Sequence, residues 1–232
     1  MYTKTLVKIG PWGGHGGGPA DIPAVLPVNL KNVTIRSSED FIDAIAFTYT
    51  GMNILQDLGV VVITFGSQEF VKGISGSFTD IVTSLNISTN VTTYEFGKYN
   101  GTPFSLPLQS GKVAGFFGRS GSDLDSIGVY VHSTQLVKIG TWGGNGGGRV
   151  DLSVLPRSLK SITLGSQEFV KGISGTFTNV VTNLKIVTNV TTYNFGQGGG
   201  TAFSLPLQSG SVVGFFGRAG ALVDSIGVYV HI

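Results

Sequence analysis

The sequence predicts an all-β protein that contains two related copies of one fold, and three observations lead to this prediction. Apolar residues alternate along short β-rich runs, as in SIGVYV, where Ile127, Val129 and Val131 share one face of a strand. The 36 glycines and eight prolines interrupt these runs at the spacing of roughly 8–12 residues that is typical of β-sandwiches and barrels. Finally, a long block of sequence occurs twice, which indicates an internal repeat.

Each copy is a similar series of strands and glycine-rich turns. The first copy opens with LVKIGPWGGHGGG at Leu6, continues through the β-rich run that starts at Val82, and closes with DSIGVYV at Asp125. The opening phrase returns as LVKIGTWGGNGGG at Leu136, and DSIGVYV returns at Asp224. Helical periodicity is nearly absent throughout. The prediction is therefore a tandem pair of all-β domains.

The two copies differ in length. The opening phrase recurs 130 residues later, whereas the block that begins GSQEFVKGIS at Gly66 recurs 99 residues later, at Gly165. A segment of thirty residues, Arg36 to Phe65, therefore has no counterpart in the second copy. We expect domains at residues 1–133 and 134–232.

Composition excludes several classes of function. Charged residues make up 12% of the chain and the formal net charge is +2, with no basic run of the kind that binds nucleic acid. There is no cysteine, so disulfides and thiolate metal sites are ruled out, and the isolated histidines do not suggest a metal site either. The start of the chain lacks a signal-peptide pattern and no apolar run is long enough to span a membrane. We expect a cytoplasmic protein without membrane insertion or cofactor.

The glycine-rich phrase at the start of each copy has two readings from its residues alone. It does not fit a phosphate-binding loop, because Pro19 and Pro23 follow where a helix would be needed and the loop holds no lysine. One remaining reading is a turn that only reverses the chain, and the other is half of a binding site.

A second pattern, G-x-x-x-D, lies near the end of each copy, at Gly121 to Asp125 and at Gly220 to Asp224. A glycine in a tight turn allows a positive φ, so that backbone N–H groups face outward beside a carboxylate. This mixture of donors and a charged acceptor suits a sugar with adjacent hydroxyls. The alternative is that Asp125 and Asp224 only cap the turn.

The chain resembles the jacalin-related lectins of the mannose-specific branch in four phrases taken together: WGGxGG, TPFSLPLQSG, GFFGR and the closing DSIGVYV. The resemblance implies a β-prism of three Greek-key antiparallel sheets, with a sugar site where the first loop meets the last. It also implies that the segment unique to the first copy covers the centre of the prism with Phe41, Ile45, Phe47 and Val61 to Ile63. The second copy would lack most of that sheet, so that Phe177, Val180 and Phe195 lose part of their cover. Galactose-specific relatives are cleaved in the first loop, whereas both loops here are continuous, which favours mannose or glucose.

The resemblance assigns the same roles in both copies: backbone N–H donors from the first loop and the last turn, and one aspartate carboxylate that accepts from two sugar hydroxyls. The donors are Gly17, Ser122 and Asp123 in the first copy and Gly147, Ala221 and Leu222 in the second, and the acceptors are Asp125 and Asp224. Some relatives have a further site on the hairpin that holds Asp43. Glu39 replaces the turn glycine there, so we expect that site to be lost or weak.

We therefore predict a non-enzymatic lectin that binds glycans containing α-mannose or α-glucose, and forming a homo-oligomer is compatible with this. The main alternative is a structural or storage protein with the same fold and degenerate sugar sites. A sugar hydrolase is a weaker alternative, because Leu222 stands in the second copy where the first has Asp123.

Overall fold

The structure is a computed structural model that describes residues 6–21, 30–38, 40–49, 61–133, 136–150 and 164–231. In these ranges the chain forms 19 β-strands and no α-helix. It follows that the described ranges hold no helix that could cross a membrane. The all-β prediction is confirmed.

The first copy forms eleven strands in the order of the chain. They are β1 (Leu6–Gly13), β2 (Gly18–Ala20), β3 (Leu30–Ser37), β4 (Ile42–Tyr49), β5 (Val61–Thr64), β6 (Val71–Phe78), β7 (Val82–Thr89), β8 (Thr93–Gly97), β9 (Thr102–Pro107), β10 (Lys112–Ser120) and β11 (Leu124–His132). Three sheets result, with strand orders β1-β11-β10-β2, β4-β3-β5 and β8-β7-β6-β9. These are the three sheets that the β-prism prediction requires, with three strands described in the second of them.

The second copy forms eight strands. They are β12 (Val137–Gly143), β13 (Gly148–Val150), β14 (Val170–Phe177), β15 (Val181–Thr188), β16 (Thr192–Gly196), β17 (Thr201–Pro206), β18 (Ser211–Ala219) and β19 (Val223–His231). They form one eight-stranded sheet, in which a single residue pair, Val170 opposite Val212, joins β14 to β18. The missing segment, Arg36 to Phe65, contains β4 and β5, which therefore have no counterpart in the second copy. Most of β3 precedes that segment, and the residues aligned with it, 159–163, lie outside the described part.

Strand alternation sets which side chains enter the core. Ile127, Val129 and Val131, predicted to share one face of β11, are all fully buried. The expectation for the segment unique to the first copy was less accurate: Phe41, expected to cover the core, is 38% exposed, whereas Ile42 is fully buried. The reason is that β4 begins at Ile42, so that Phe41 lies before the strand. Ile63 is buried, as expected, and Ile45 is half-buried. The side chains of Phe47, Val61 and Val62 lie outside the described part.

The missing segment leaves one of the three named side chains, Phe195, more exposed than its counterpart. Phe177 and Val180 do not fit the expectation, because they are half-buried like Phe78 and Ile81 in the first copy. In the first copy Ile42 lies beside Gly97, at the end of β8, where a Cβ on the glycine would be 3.1 Å from the Cδ1 of Ile42. The adjacent Phe96 is half-buried. Its equivalent in the second copy, Phe195, is 54% exposed. The sequence-based expectation for Phe195 is confirmed by this difference.

The chain divides into two compact units, and the boundary between them does not coincide with the boundary between the two copies. One unit contains Gly10–Ser105 and Lys112–His132, and the other contains Met1–Ile9, Leu106–Gly111 and Ser133–Ile232. Two short segments of the first copy thus group with the second copy. The domain boundary near residue 133 stays a prediction.

Hydrogen bonds join these two segments to the second copy, within the same compact unit. Gln208 N–H donates to the carbonyl of Lys8 at 2.9 Å, and the N–H of Lys8 donates to Ser209 Oγ at 2.9 Å. The equivalent bonds occur at the other segment, where the N–H of Gln109 donates to the carbonyl of Lys138 at 2.8 Å. The unit that contains the second copy therefore includes two short segments of the first, one at its start and one before β10.

Candidate functional site

The glycine-rich loop of each copy begins at a buried tryptophan. Trp12 is 3% exposed and stacks on Phe104, with ring centroids 5.3 Å apart and planes 14° apart. Trp142 and Phe203 form the equivalent stack, at 5.1 Å and 14°. Stacked aromatic pairs in a core contribute about 0.5–1.5 kcal/mol beyond their buried area. The tryptophan therefore fixes the point from which the loop leaves the core.

In the first copy, the loop lies directly against Asp125. The N–H of Gly14 donates to the carbonyl of Asp125 at 2.8 Å. Gly17 has φ +51°, and a Cβ there would be 2.5 Å from Asp125 Oδ2, closer than real side chains approach. A Cβ at Gly16 would overlap Asp125 Oδ1. Glycine is required at both positions because the carboxylate occupies the space that a side chain would need.

The last turn meets the same loop from the other side. Ser120 pairs with Leu124, so that residues 121–123 form the turn between β10 and β11, and the N–H of Gly121 donates to the carbonyl of Asp123 at 3.0 Å. A Cβ on Gly121 would lie 3.5 Å from the Cα of Gly17 and 4.0 Å from Asp125 Oδ2. The first loop, the last turn and the carboxylate therefore converge on one place.

The polar groups at this place have few protein partners. Among the described residues, the backbone N–H groups of Gly17, Ser122 and Asp123 donate no hydrogen bond to the protein, and no group donates to the Asp125 carboxylate. Ser122 is exposed, and Asp125 is half-buried. The arrangement presents three backbone donors and one carboxylate acceptor to solvent.

Arg119, on β10, holds the first loop in place. Its Nε donates to the carbonyls of Gly16 at 2.7 Å and His15 at 3.1 Å, and its Nη2 donates to the carbonyl of Gly17 at 2.7 Å. In a trans peptide the C=O and N–H groups point in opposite directions. Binding of the Gly16 carbonyl by Arg119 therefore turns the Gly17 N–H away from the guanidinium.

The second copy repeats this geometry. The N–H of Gly144 donates to the carbonyl of Asp224 at 2.8 Å, and Gly147 has φ +55°, with a Cβ position 2.6 Å from Asp224 Oδ2. Arg218 donates through Nε to the carbonyl of Gly146 and through Nη2 to that of Gly147, both at 2.6 Å. In the described part of this copy, the N–H groups of Gly147, Ala221 and Leu222 likewise donate no hydrogen bond to the protein.

The two places differ in side chains while sharing the backbone. Leu222, at the position of Asp123, is 64% exposed. Val223 is 47% exposed, whereas its equivalent Leu124 is 3% exposed. The second copy thus has an apolar rim at its last turn that the first copy lacks.

The sequence patterns give Arg119 and Arg218 no role beyond their place in the phrase GFFGR. A signal is nevertheless present: each arginine lies six residues before the site aspartate, and of the five residues between them only the glycine is the same in both copies. The carbonyl groups that Arg119 binds lie about a hundred residues earlier in the chain, and those that Arg218 binds lie about seventy residues earlier. A single sequence does not reveal partners at such a distance.

Other candidates have weaker support in the structure. Within the described ranges, no group of three His, Cys, Asp or Glu side chains could hold a metal ion. On the second hairpin, Asp43 Oδ2 lies 3.7 Å from the Nε of Arg36. Residues 50–60, which follow that hairpin, lie outside the described part.

Comparison with known proteins identifies one family. A family model described as the Jacalin-like lectin domain matches residues 9–130 and again residues 131–229. A mannose/glucose-specific lectin from Parkia platycephala is 33% identical over 97% of this chain and 64% of its own length. Horcolin from Hordeum vulgare is 42% identical over 54% of this chain and 96% of its own length. The chain spans less than two thirds of the length of the first curated relatives that it matches.

Solved structures of similar proteins cover about one copy. A mannose-binding jacalin-related lectin from Ananas comosus is 35% identical, with a TM-score of 0.48, over 54% of this chain and 96% of its own. Wild-type Malaysian banana lectin is 38% identical, with a TM-score of 0.48, over 55% of this chain and 98% of its own.

Proposed function

The chain belongs to the jacalin-like lectin family, and from this we propose that it binds α-mannose or α-glucose units at two sites without altering them. One observation carries the proposal. In each copy a half-buried aspartate and three backbone N–H groups without protein partners meet where the first loop contacts the last turn. The names of its Parkia relatives, mannose/glucose-specific lectins, support the choice of sugar.

The proposed recognition follows from the donors and acceptor present. The carboxylate of Asp125 accepts from two neighbouring sugar hydroxyls, and hydrogen bonds to an ionised acceptor are roughly twice as strong as neutral ones. The N–H groups of Gly17, Ser122 and Asp123 donate to the oxygens of the same ring. Because the donors belong to the backbone, Asp123 and its equivalent Leu222 serve equally well. Asp224 and its neighbours act in the same way in the second copy.

The arginine clamp, Arg119 with its three carbonyl partners, prepares the site before the sugar arrives. A glycine-rich loop has more conformational freedom than a loop of other residues. If the loop became ordered only on binding, the lost conformational entropy would weaken the affinity for the sugar. The hydrogen bonds from Arg119 hold the loop in its bound form in advance. An open site with a handful of hydrogen bonds still corresponds to a dissociation constant on the order of 1 mM, or roughly −4 kcal/mol.

Replacing both aspartates tests the proposal. In the Asp125→Asn/Asp224→Asn double variant each side chain keeps its shape and loses its charge, so binding of methyl α-mannoside should fall below detection in an NMR titration. The melting temperature should remain unchanged, because no described group donates to the Asp125 carboxylate. Asp40→Asn, an exposed carboxylate whose partner is Lys98, is the control and should bind as the original protein does.

The same experiment separates the proposal from its main alternative, a structural or storage protein with degenerate sites. Such a protein would give no saturable shift of the Gly17 or Gly147 amide with methyl α-mannoside even before substitution. A double variant that binds as tightly as the original protein would show that the sugar lies elsewhere.

A further inference from the structure

The first copy has a second polar depression, on the sheet formed by β8, β7, β6 and β9. Its volume is about 400 Å³, and its lining includes Ser75, Ser84, Asn86, Glu95 and Tyr99. We call it the Asn86 cavity. Asn86 lies between Leu85 and Ile87, which are fully buried. Since neighbouring residues of a strand point to opposite faces, the Asn86 side chain faces away from the core.

Strand register places three different polar groups in one row across the cavity. Ser75 on β6 lies opposite Asn86 on β7, and Asn86 lies opposite Glu95 on β8. Side chains directly opposite each other on adjacent strands have Cβ atoms about 5 Å apart. A hydroxyl, an amide and a carboxylate therefore face solvent side by side. Among the described residues, none of these three side chains has a hydrogen bond or an ion pair.

The cavity is preformed. In the next row Ser84 lies opposite Gly97, and both residues line the cavity. Ser84 is 7% exposed and its hydroxyl lies 2.8 Å from that of Ser77. The loop that carries Tyr99 is fixed by a hydrogen bond from Thr83 Oγ1 to the carbonyl of Asn100 at 2.6 Å. Tyr99 itself is 66% exposed, so that its ring is available at the edge of the cavity.

The second copy has closed the equivalent place with its own side chains. Asn183 stands where the first copy has Ser84, and its Nδ2 donates to Asn194 Oδ1 and to the carbonyl of Phe195, both at 2.9 Å. Asn194 replaces Glu95, and Lys185 replaces Asn86. The repeat has a glycine, Gly198, where the first copy has Tyr99. The open polar row therefore belongs to the first copy alone.

We propose that the Asn86 cavity binds one neutral saccharide ring, separately from the site at Asp125. Adjacent hydroxyls of a sugar donate to a carboxylate and accept from an amide, which are the groups that Glu95 and Asn86 present. The Tyr99 ring offers a surface for the apolar C–H face of the sugar. The volume lies within the range of about 300–1,000 Å³ found for small-ligand sites. The inference shares only its class of ligand with the proposed function.

The test uses the full chain carrying Asp125→Asn and Asp224→Asn, so that the two proposed primary sites are silent. Methyl α-mannoside, methyl α-glucoside and methyl β-galactoside are titrated separately, and the amide NMR signals of Asn86, Glu95 and Tyr99 are followed. At least one glycoside should shift these three signals saturably at millimolar concentration. If none of the glycosides shifts them, the inference is overturned, while the proposed function is judged separately from the Gly17 and Gly147 signals of the original protein.

Two further variants in the same background identify the contacts. Ser84→Asn introduces the residue with which the second copy closes this place, and Glu95→Gln removes the charged acceptor. Each should weaken the shift response at least tenfold without lowering the melting temperature. Asn194→Gln, the matched change in the second copy, should leave the response unchanged. Equal weakening by Asn194→Gln, or no weakening by either first-copy variant, would show that the sugar does not occupy the Asn86 cavity.

Discussion

Replacing Arg119 by lysine should weaken sugar binding at the first site while leaving the fold intact. The guanidinium of Arg119 makes three hydrogen bonds to the carbonyls of His15, Gly16 and Gly17. Lysine keeps the charge but presents a single donor group at one point, and it does not reproduce the geometry of an arginine fork. We expect it to retain one of the three bonds and to lose two.

The magnitude follows from the two lost bonds. A neutral hydrogen bond has a net value of about 0.5–1.5 kcal/mol and one to a charged group about 1.5–3 kcal/mol when well shielded. Because the guanidinium of Arg119 is partly exposed to solvent, we use the lower range, so the loop would be stabilised by about 1–3 kcal/mol less before binding. The sugar must then supply that free energy to order the loop. Because about 1.4 kcal/mol corresponds to a tenfold change in affinity, the dissociation constant should rise on the order of tenfold. Arg119 lies near the surface, which places the expected value toward the lower end of the range.

The assay needs only the first site to be active. We would introduce Arg119→Lys together with Asp224→Asn and follow the amide signal of Gly17 during titration with methyl α-mannoside. The Gly17 amide of the unliganded variant should also broaden or shift, because its peptide is no longer held. Arg36→Lys in the same background is the control, since Arg36 faces Asp43 and not the first loop.

The reasoning would be refuted by an affinity within twofold of the parent together with an unchanged Gly17 signal. The reasoning would also be contradicted if the variant were so destabilised, as seen in its melting temperature, that unfolding explained the whole loss of binding. A residue that positions the loop should change the affinity for the sugar more than the stability of the fold. In the second copy Arg218 has two carbonyl partners, so Arg218→Lys should give a smaller rise in the dissociation constant.

Three further predictions concern the loop, acid stability and the second copy. Gly17→Ala should abolish binding at the first site, because φ is +51° and the new Cβ would be 2.4 Å from the carbonyl carbon of Ser120; the same NMR titration measures this. The pKa of Glu168 is lowered, first by the hydrogen bond from the Thr188 hydroxyl, so its contribution to folding is present above its ordinary pKa of about 4.3 and is lost as the pH falls through the lowered value. The midpoint of unfolding by denaturant, measured across that pH range, should therefore change less with pH in the Glu168→Gln variant than in the original protein. An equal change of the midpoint with pH in both proteins would contradict this role for Glu168. Residues 134–232 expressed alone should aggregate, dimerise or bind an apolar dye, because the bonds to the two first-copy segments are lost; a cooperative monomer of high thermal stability, seen by calorimetry and sedimentation, would argue otherwise.

Much of the architecture could be predicted from local patterns. Alternation along SIGVYV predicted that Ile127, Val129 and Val131 are buried, because neighbouring residues of a strand necessarily face opposite sides. The unequal spacing of the repeats identified the thirty residues that the second copy lacks. The family resemblance then implied that most of one sheet is missing and that Phe195 loses part of its cover. The glycine and aspartate of each last turn could be singled out because the pattern lies within a few residues. Only the family resemblance indicated that the first loop lies beside them.

Contacts between distant strands and loops could not be predicted in this way. Arg119 holds a loop about a hundred residues earlier in the chain, and Ile42 rather than Phe41 enters the core because of where one strand begins. The row formed by Asn86 and Glu95 exists only because three strands pair in one register. A shift of that register by one residue would turn each side chain of the shifted strand to the other face. Such partnerships are set by the packing of the whole fold, so the arginine clamp and the Asn86 cavity emerge only when the strands are assembled.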